Sequence, residues 1–276
     1  IASTSGGGFA LMVEGLSLAG MIESPLVVHL AQRPGPATGL PTRTEQGDLD
    51  LALYAGHGEF PRVILAPGTL QQAFLLTRHA FDLADRFQVP VFILTDQYFT
   101  DTYYNTSRFD CSGVKIKHHF IESKEGYQRF ALTESGLSPR AIPGLGKGFV
   151  AVDSDEHDEF GRITEDLDLR VKMVDKRLAK SKLVSEEAIG PCLWPKGTDY
   201  KHLVICWGST FPIVQEAIDR IGRKDLALLH FQQVFPLHPA AAERIGKAKT
   251  RICLEGNAGG QFARLLKTYA DVNVDH

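Results

Sequence analysis

Residues 62–95, RVILAPGTLQQAFLLTRHAFDLADRFQVPVFILT, decide the fold class. Arg62-Val63-Ile64-Leu65-Ala66 and Pro90-Val91-Phe92-Ile93-Leu94-Thr95 are short apolar runs without polar alternation, as strands buried on both faces of a parallel sheet are. Between them Leu70, Ala73, Phe74, Thr77, Phe81, Ala84 and Phe87 recur at three- and four-residue steps, which predicts a covering helix with one buried stripe. Strand, helix, strand in that order is a βαβ crossover. Upstream, Pro25-Leu26-Val27-Val28-His29-Leu30-Ala31 supplies a third strand of the same kind.

Outward from this unit the pattern divides the chain in three. Residues 1–110 alternate short apolar and longer amphipathic runs, an α/β domain. Residues 111–190 scatter Gly, Ser, Asp and His among short runs such as Gly113 to Ile121, which predicts an irregular connector with one hairpin. That stretch closes on a junction helix ending near Lys182, with Ile163, Leu167, Val171, Val174 and Leu178 as its buried stripe. Residues 191–276 resume the alternation, with strands near Leu203–Trp207, Leu226–Phe231 and Arg251–Glu255. A helix follows the first of these, capped by Ser209 or Thr210, with Ile213, Val214, Ala217, Ile218 and Ile221 as its apolar face. This is a second, smaller α/β domain.

Composition narrows the function. The 276 residues are 43% hydrophobic and 23% charged, with a mean hydropathy of −0.09 and no apolar run near the ~18 residues of a membrane span. Thirty basic against 33 acidic residues leave no cationic excess for a nucleic acid or an anionic bilayer, so neither is expected as a partner. Cys111, Cys192, Cys206 and Cys253 are far apart and form no zinc or cluster motif. Cys206 and Cys253 read as buried core thiols, and with no leader-like N-terminus the expected compartment is the cytoplasm.

Five segments could carry chemistry. Thr4-Ser5-Gly6-Gly7-Gly8-Phe9 opens an apolar helix; its glycines suit either close approach to a ligand or a tight turn at positive φ. Gln32-Arg33-Pro34-Gly35-Pro36-Ala37-Thr38-Gly39-Leu40-Pro41-Thr42 follows a parallel strand, where α/β sheets gather ligands, and Arg33 is the cation there whose planar fork suits a carboxylate. His57, between Gly56 and Gly58, reads as a solvated loop residue or an acid–base group. Asp153-Ser154-Asp155-Glu156-His157-Asp158-Glu159 fails the calcium-loop pattern and reads as an exposed acidic loop before a helix. Glu255-Gly256-Asn257-Ala258-Gly259-Gly260-Gln261 is a glycine-rich strand-to-helix turn, either structural or at an interface or ligand. The dinucleotide, P-loop, zincin and nucleophile-elbow motifs are absent. So is a Gly-Asp-Gly run with a downstream Asn pair, since Gly47-Asp48 is followed by Leu49.

In order and spacing, TSGGGFALMVEGLSLAGMIESP, QRPGPATGLPTRTEQGDL, GHGEFPRVILAP and LTDQY resemble the alpha subunit of 2-oxoacid:ferredoxin oxidoreductases. The resemblance continues through VDSDEHDEFGRITED and LEGNAGGQFARLL, and is strongest to members assigned to 2-oxoglutarate whose alpha part is fused behind a gamma domain. It implies a partial pyrimidine-type thiamine-diphosphate-binding parallel-sheet domain, then a transketolase C-terminal-like domain. It implies oxidative decarboxylation of a 2-oxoacid, with electrons passed to ferredoxin and the acyl group to coenzyme A. By matched position, Arg33 would bind the substrate carboxylate and Ser5, Gly6, Gly7, Gly8 and Phe9 would lie near the aminopyrimidine. Gly7 stands where many relatives have proline. The Tyr-Pro-x-Thr-Pro segment and the glutamate contacting the aminopyrimidine would lie upstream of Ile1, making this chain a fragment. The diphosphate site, Mg²⁺ and [4Fe-4S] clusters would belong to a beta subunit. The alternatives are the same chemistry on pyruvate or branched-chain 2-oxoacids, and a non-catalytic assembly subunit that keeps the fold.

Overall fold

The computed structural model describes residues 1–112 and 115–276. The N-terminal half runs β1 (Ala2–Thr4), α1 (Gly6–Ala10), α2 (Val13–Met21), β2 (Leu26–Gln32), α3 (Leu49–Tyr54), β3 (Val63–Leu65), α4 (Leu70–Phe87), β4 (Pro90–Asp96) and α5 (Gln97–Asp101). The remainder is β5 (Ile121–Ser123), β6 (Ala141–Gly146), α6 (Leu167–Glu186), β7 (Cys192–Trp194), β8 (His202–Trp207), α7 (Thr210–Ile221), β9 (Leu226–Phe231), β10 (Gln233–Phe235), α8 (Ala240–Gly246), β11 (Thr250–Leu254) and α9 (Gln261–Ala270).

The first sheet has the order β1-β2-β4-β3-β10 and the second β11-β8-β9-β7. The apolar runs are its parallel centre: Val28 is in register with Phe92, and Ile64 with Phe92 on the other side. β10 comes from the C-terminal third yet joins the first sheet antiparallel to β3, and β7 closes the second sheet antiparallel to β9. One apolar cluster runs from Phe9, Leu30 and Phe92 to Trp207, Phe231 and Phe262, so the facing sheets share a core. The opposite face of the first sheet, with Val63, Leu65, Val91 and Ile93, is covered by α4.

Several expectations change. On α4 the buried residues are Leu76, Ala80, Leu83, Ala84 and Phe87, whereas Phe81 is exposed; the stripe is rotated because Phe81 faces a surface groove rather than the sheet. In the connector β5 and β6 pair in parallel, and the antiparallel pairing among its described residues is a single bridge between His157 and Ile163 across a tight turn. The run from Gly113 to Ile121 begins on residues 113–114, which lie outside the described residues. On α7 only Val214 and Ile218 are buried, and Ser209, at the cap position, turns its hydroxyl to Asp96 instead of the helix.

The largest reversal is α6. Of the expected stripe Ile163, Leu167 and Val171 are exposed and Val174 and Leu178 only half-buried, and the face turned inward carries Met173, Lys176, Arg177, Lys180 and Val184. The charges are buried because anions meet them. Glu23, at the end of α2, pairs with both Lys176 and Lys180, and Arg129 Nη2 donates to the Ile22 and Glu23 carbonyls at 3.1 and 2.7 Å. Glu156 accepts from both terminal nitrogens of Arg177 at 2.9 and 2.8 Å and from Arg170 at 2.7 Å. The acidic loop is therefore not simply a solvated run: Glu156 clasps α6, and His157 is fully buried with its ring 3.9 Å from that of Phe130.

Candidate functional site

Three segments meet at the carboxyl ends of β1 and β2. The first is the glycine turn, whose glycines are not at positive φ. Their need is space: a Cβ on Gly6 would lie 2.6 Å from Asp48 Oδ2, and one on Gly8 would run into Thr4 Oγ1. Gly7 is exposed, with the Ala37 carbonyl the nearest neighbour its Cβ would meet, at 3.7 Å. Ser5 takes the N-cap position of α1 without making a side-chain cap bond. Phe9 has no surface to offer a ligand; it is fully buried, edge-on to Phe92 at 5.4 Å, and anchors the turn from below.

The second segment is the loop after β2. Arg33 lines a cleft of about 340 Å³ with Gly35, Pro36, Glu45, Asp48 and the third segment, Asn257–Gln261. Among the described residues Arg33 is the one cation on that lining, and its Nε is sealed from solvent without a hydrogen-bond partner. Asp48 Oδ2 is likewise buried and unpartnered. Burial and the neighbouring Glu45 push the Asp48 carboxyl up to about 6, with Arg33 pulling the other way.

The segment between these groups locks the cleft to the second sheet. Gln46 Nε2 donates to the Trp207 carbonyl at 2.9 Å, and Gln46 N donates to the Gly256 carbonyl at 2.8 Å. Gly256 N returns a bond to Gln46 Oε1 at 2.8 Å. Gln261 bridges α3 and α9 by accepting from Asp50 N at 3.0 Å and donating to the Gly47 carbonyl at 2.8 Å. The Glu255 carboxylate caps α9 through the Phe262 and Ala263 amides. The 255–261 turn thus has a structural role and also walls the cleft.

The structure brings the glycine turn and Arg33 together around Asp48. His57 does not line this cleft; it is exposed, with Nε2 3.4 Å from Glu14. Sequence reading gave no role to Asp48 or Gln46, and included Gln261 only as the last residue of the glycine-rich turn. The available signal was a lone aspartate between a Pro/Gly loop and an apolar helix, which ordinarily marks an N-cap. Here the side chain makes no cap bond and turns to the cleft instead.

Asp48 yields a pH-dependent prediction. An acid whose folded pKa lies above its unfolded value contributes stability that is full below the unfolded value and lost as pH rises through the folded one. The window here runs from 3.8 to about 6. Asp48→Asn should therefore melt higher than wild type at pH 7.5 and close to it at pH 4. Melting curves across that range check this, and an offset independent of pH would contradict it.

Comparison with known proteins adds the following. Residues 1–176 match the family described as pyruvate flavodoxin/ferredoxin oxidoreductase, thiamine diphosphate-binding. The alpha subunit of 2-oxoacid:ferredoxin oxidoreductase 1 of Sulfurisphaera tokodaii is 35% identical over 285 residues, covering 99% of this chain and 44% of that protein. The 2-oxoglutarate synthase subunit KorA of Archaeoglobus fulgidus is 30% identical over 268 residues, covering 93% of this chain and 68% of that protein. Among solved structures, 2-oxoglutarate:ferredoxin oxidoreductase from Magnetococcus marinus, with 2-oxoglutarate, coenzyme A and succinyl-CoA bound, superposes with a TM-score of 0.86 at 28% identity. That match covers 99% of this chain and 48% of the other. The chain spans under half the length of the Sulfurisphaera relative.

Proposed function

Because the chain belongs to the pyruvate flavodoxin/ferredoxin oxidoreductase, thiamine diphosphate-binding family, we propose that it is the alpha-subunit portion of a 2-oxoacid:ferredoxin oxidoreductase with 2-oxoglutarate as its favoured substrate. The observation that carries this reading is Arg33: a guanidinium that makes no side-chain hydrogen bond among the described residues and whose terminal nitrogens are not sealed from solvent, held at a strand end by a proline-braced loop, beside the glycine turn. Such a group is arranged for a carboxylate, the feature all 2-oxoacids share.

The residues present fit their half of the task. The open face of Gly7 and Asp48 Oδ1, which accepts no hydrogen bond among the described residues and is not sealed from solvent, suit a flat heterocycle carrying amino and ring-nitrogen groups. Thiamine diphosphate, when bound, supplies the carbanion chemistry that no side chain can provide. Arg33 holds the substrate carboxylate and so sets the ketone's position. Asp48 can hold a proton at Oδ2 near pH 6, and while protonated it does not compete with substrate for Arg33. Gln46 and Gln261 keep the loop fixed against the second sheet, limiting the reorganisation needed on binding.

In this reading a beta subunit contributes the diphosphate site, Mg²⁺ and [4Fe-4S] clusters, coenzyme A accepts the acyl group, and cytoplasmic ferredoxin takes the electrons. No helix among the described residues is long and apolar enough to cross a membrane. With Arg33 the one cation lining the cleft, these residues grip one carboxylate, and the second carboxylate of 2-oxoglutarate must be met elsewhere. The test is turnover by the full-length chain with its beta partner. We expect coenzyme A-dependent ferredoxin reduction, fastest on 2-oxoglutarate. Faster turnover on pyruvate or a branched-chain acid would reassign the substrate, and no turnover on any 2-oxoacid would leave the non-catalytic assembly role.

A further inference from the structure

Arg62 stands apart from this cleft, immediately before β3, and its setting is unusual for a cation. It is 8% exposed, its guanidinium lies 4.5 Å over the Phe60 ring, and both of its hydrogen bonds come from Nη1, to the Ala52 and Ala55 carbonyls at 3.0 and 2.8 Å. Among the described residues no protein acceptor meets Nε or Nη2, and neither is among the polar atoms sealed from solvent. Burial pushes its pKa down to about 10, opposed only by the Tyr269 phenol, so no carboxylate compensates the charge.

Arg62 lines a groove of about 380 Å³ between α3, α6, β10 and α9. Leu53, Phe60, Val184 and Phe235 make part of its wall apolar, Ser181 and Ser185 face it from α6, and Tyr54 and Tyr269 stand exposed at its edge. Its volume lies in the range of small-ligand sites, and its polar groups are few and convergent. Glu59, the acidic residue on the lining, is exposed. A buried guanidinium with spare donors and no counter-charge is an anion site short of its anion.

We propose that this groove binds a small anionic ligand, whose carboxylate or phosphate meets Arg62 Nε and Nη2 and whose apolar body lies along Phe60 and Phe235. The site is separate from the Arg33 cleft and stands whether or not that cleft takes a 2-oxoacid. Phe60 links the groove to the α2 packing, since a Cβ on Gly20 would lie 2.6 Å from its ring.

Titration calorimetry on the full-length protein in its natural complex, with benzoate and inorganic phosphate as separate probes, tests the proposal. We expect saturable binding with a dissociation constant on the order of millimolar. Tighter benzoate binding would assign a carboxylate on an apolar body; tighter phosphate binding would assign a phosphate. Ser181→Glu and Ser185→Glu put a built-in carboxylate on the wall and should weaken the probe by about 10- to 100-fold, as should Arg62→Gln. Arg33→Met should leave it unchanged. If Arg62→Gln fails to fold because Ala52 and Ala55 lose their donor, the two glutamate variants decide. Binding that both glutamate variants leave unchanged, binding lost in Arg33→Met, or no saturable uptake of either probe would overturn the site.

Discussion

Under the proposed function, Arg33→Met should lower kcat/KM for the 2-oxoacid by roughly 30- to 1000-fold in the full-length, partner-bound protein, a loss of about 2–4 kcal/mol of transition-state stabilisation. The magnitude follows from leaving a carboxylate without its charge-assisted partner in a partly desolvated cleft. Among the described residues Arg33 is the sole cation on the cleft lining, so no neighbour is placed to take over. Arg33→Lys should restore only part of the rate, because a point charge cannot reproduce the planar fork. A second readout belongs to the same change. Arg33 is the influence that lowers the Asp48 pKa against burial and Glu45, so in Arg33→Met that carboxyl titrates higher still. The alkaline limb of the pH profile, along which Asp48 ionises, should move upward with it. At pH 4, where Asp48 is protonated, melting temperature should stay nearly constant, since Arg33 is half-buried in a loop and makes no ion pair among the described residues. Rates within threefold of wild type would reject the role, and a parallel collapse of stability would make Arg33 a structural residue instead.

What could be read from sequence follows a physical divide. Strands β2, β3 and β4 were legible because continuous apolar runs have few alternatives to the centre of a parallel sheet. The glycine turn and Arg33 were legible because their residue types are locally informative. Asp48 was not, because the residues with which it lines the cleft lie 15 residues away at Arg33 and more than 200 away at Asn257 and Gln261. Its chemistry arises from burial, which local sequence does not contain. On α6 the reading inverted. An apolar stripe at Ile163, Leu167 and Val171 predicts the inward face only if charges stay outside. That premise fails where the buried cations find their anions, and the anions here are Glu23 and Glu156, which lie outside the helix in sequence.

That inversion makes Glu23 a residue whose loss should cost the fold heavily. Its side chain is 1% exposed, and it answers Lys176 and Lys180, each with 2% of its side chain exposed. Burial alone would raise the Glu23 pKa, but the two lysines overcome it and hold the carboxyl at about 2. Lys180 is pushed by burial down to about 8, with Glu23 limiting the fall. Glu23 also has φ of 52°, a left-handed conformation uncommon for glutamate, so its contacts outweigh a local backbone cost. Glu23→Ala should destabilise the protein by about 3–5 kcal/mol at pH 7, because it strands two buried ammonium groups. Replacing all three charges, Glu23→Met with Lys176→Met and Lys180→Met, should return most of that loss, since apolar groups of similar size need no compensation.

Two pH trends distinguish this account from simple loss of packing. In wild type, the Glu23 contribution is complete above the unfolded value of 4.5 and disappears as pH falls toward about 2, so acid should narrow the gap between wild type and Glu23→Ala. In the variant, the lysines have folded pKa values further below their unfolded 10.5, so the unfolded chain binds more protons and stability rises with pH. The deficit should therefore also shrink between pH 7 and 10. Denaturant unfolding of wild type, Glu23→Ala and the triple variant at pH 3, 7 and 10 measures all three. A deficit under about 1 kcal/mol at pH 7, or one that stays constant across the range, would mean that the lysines on α6 do not depend on Glu23 for their burial.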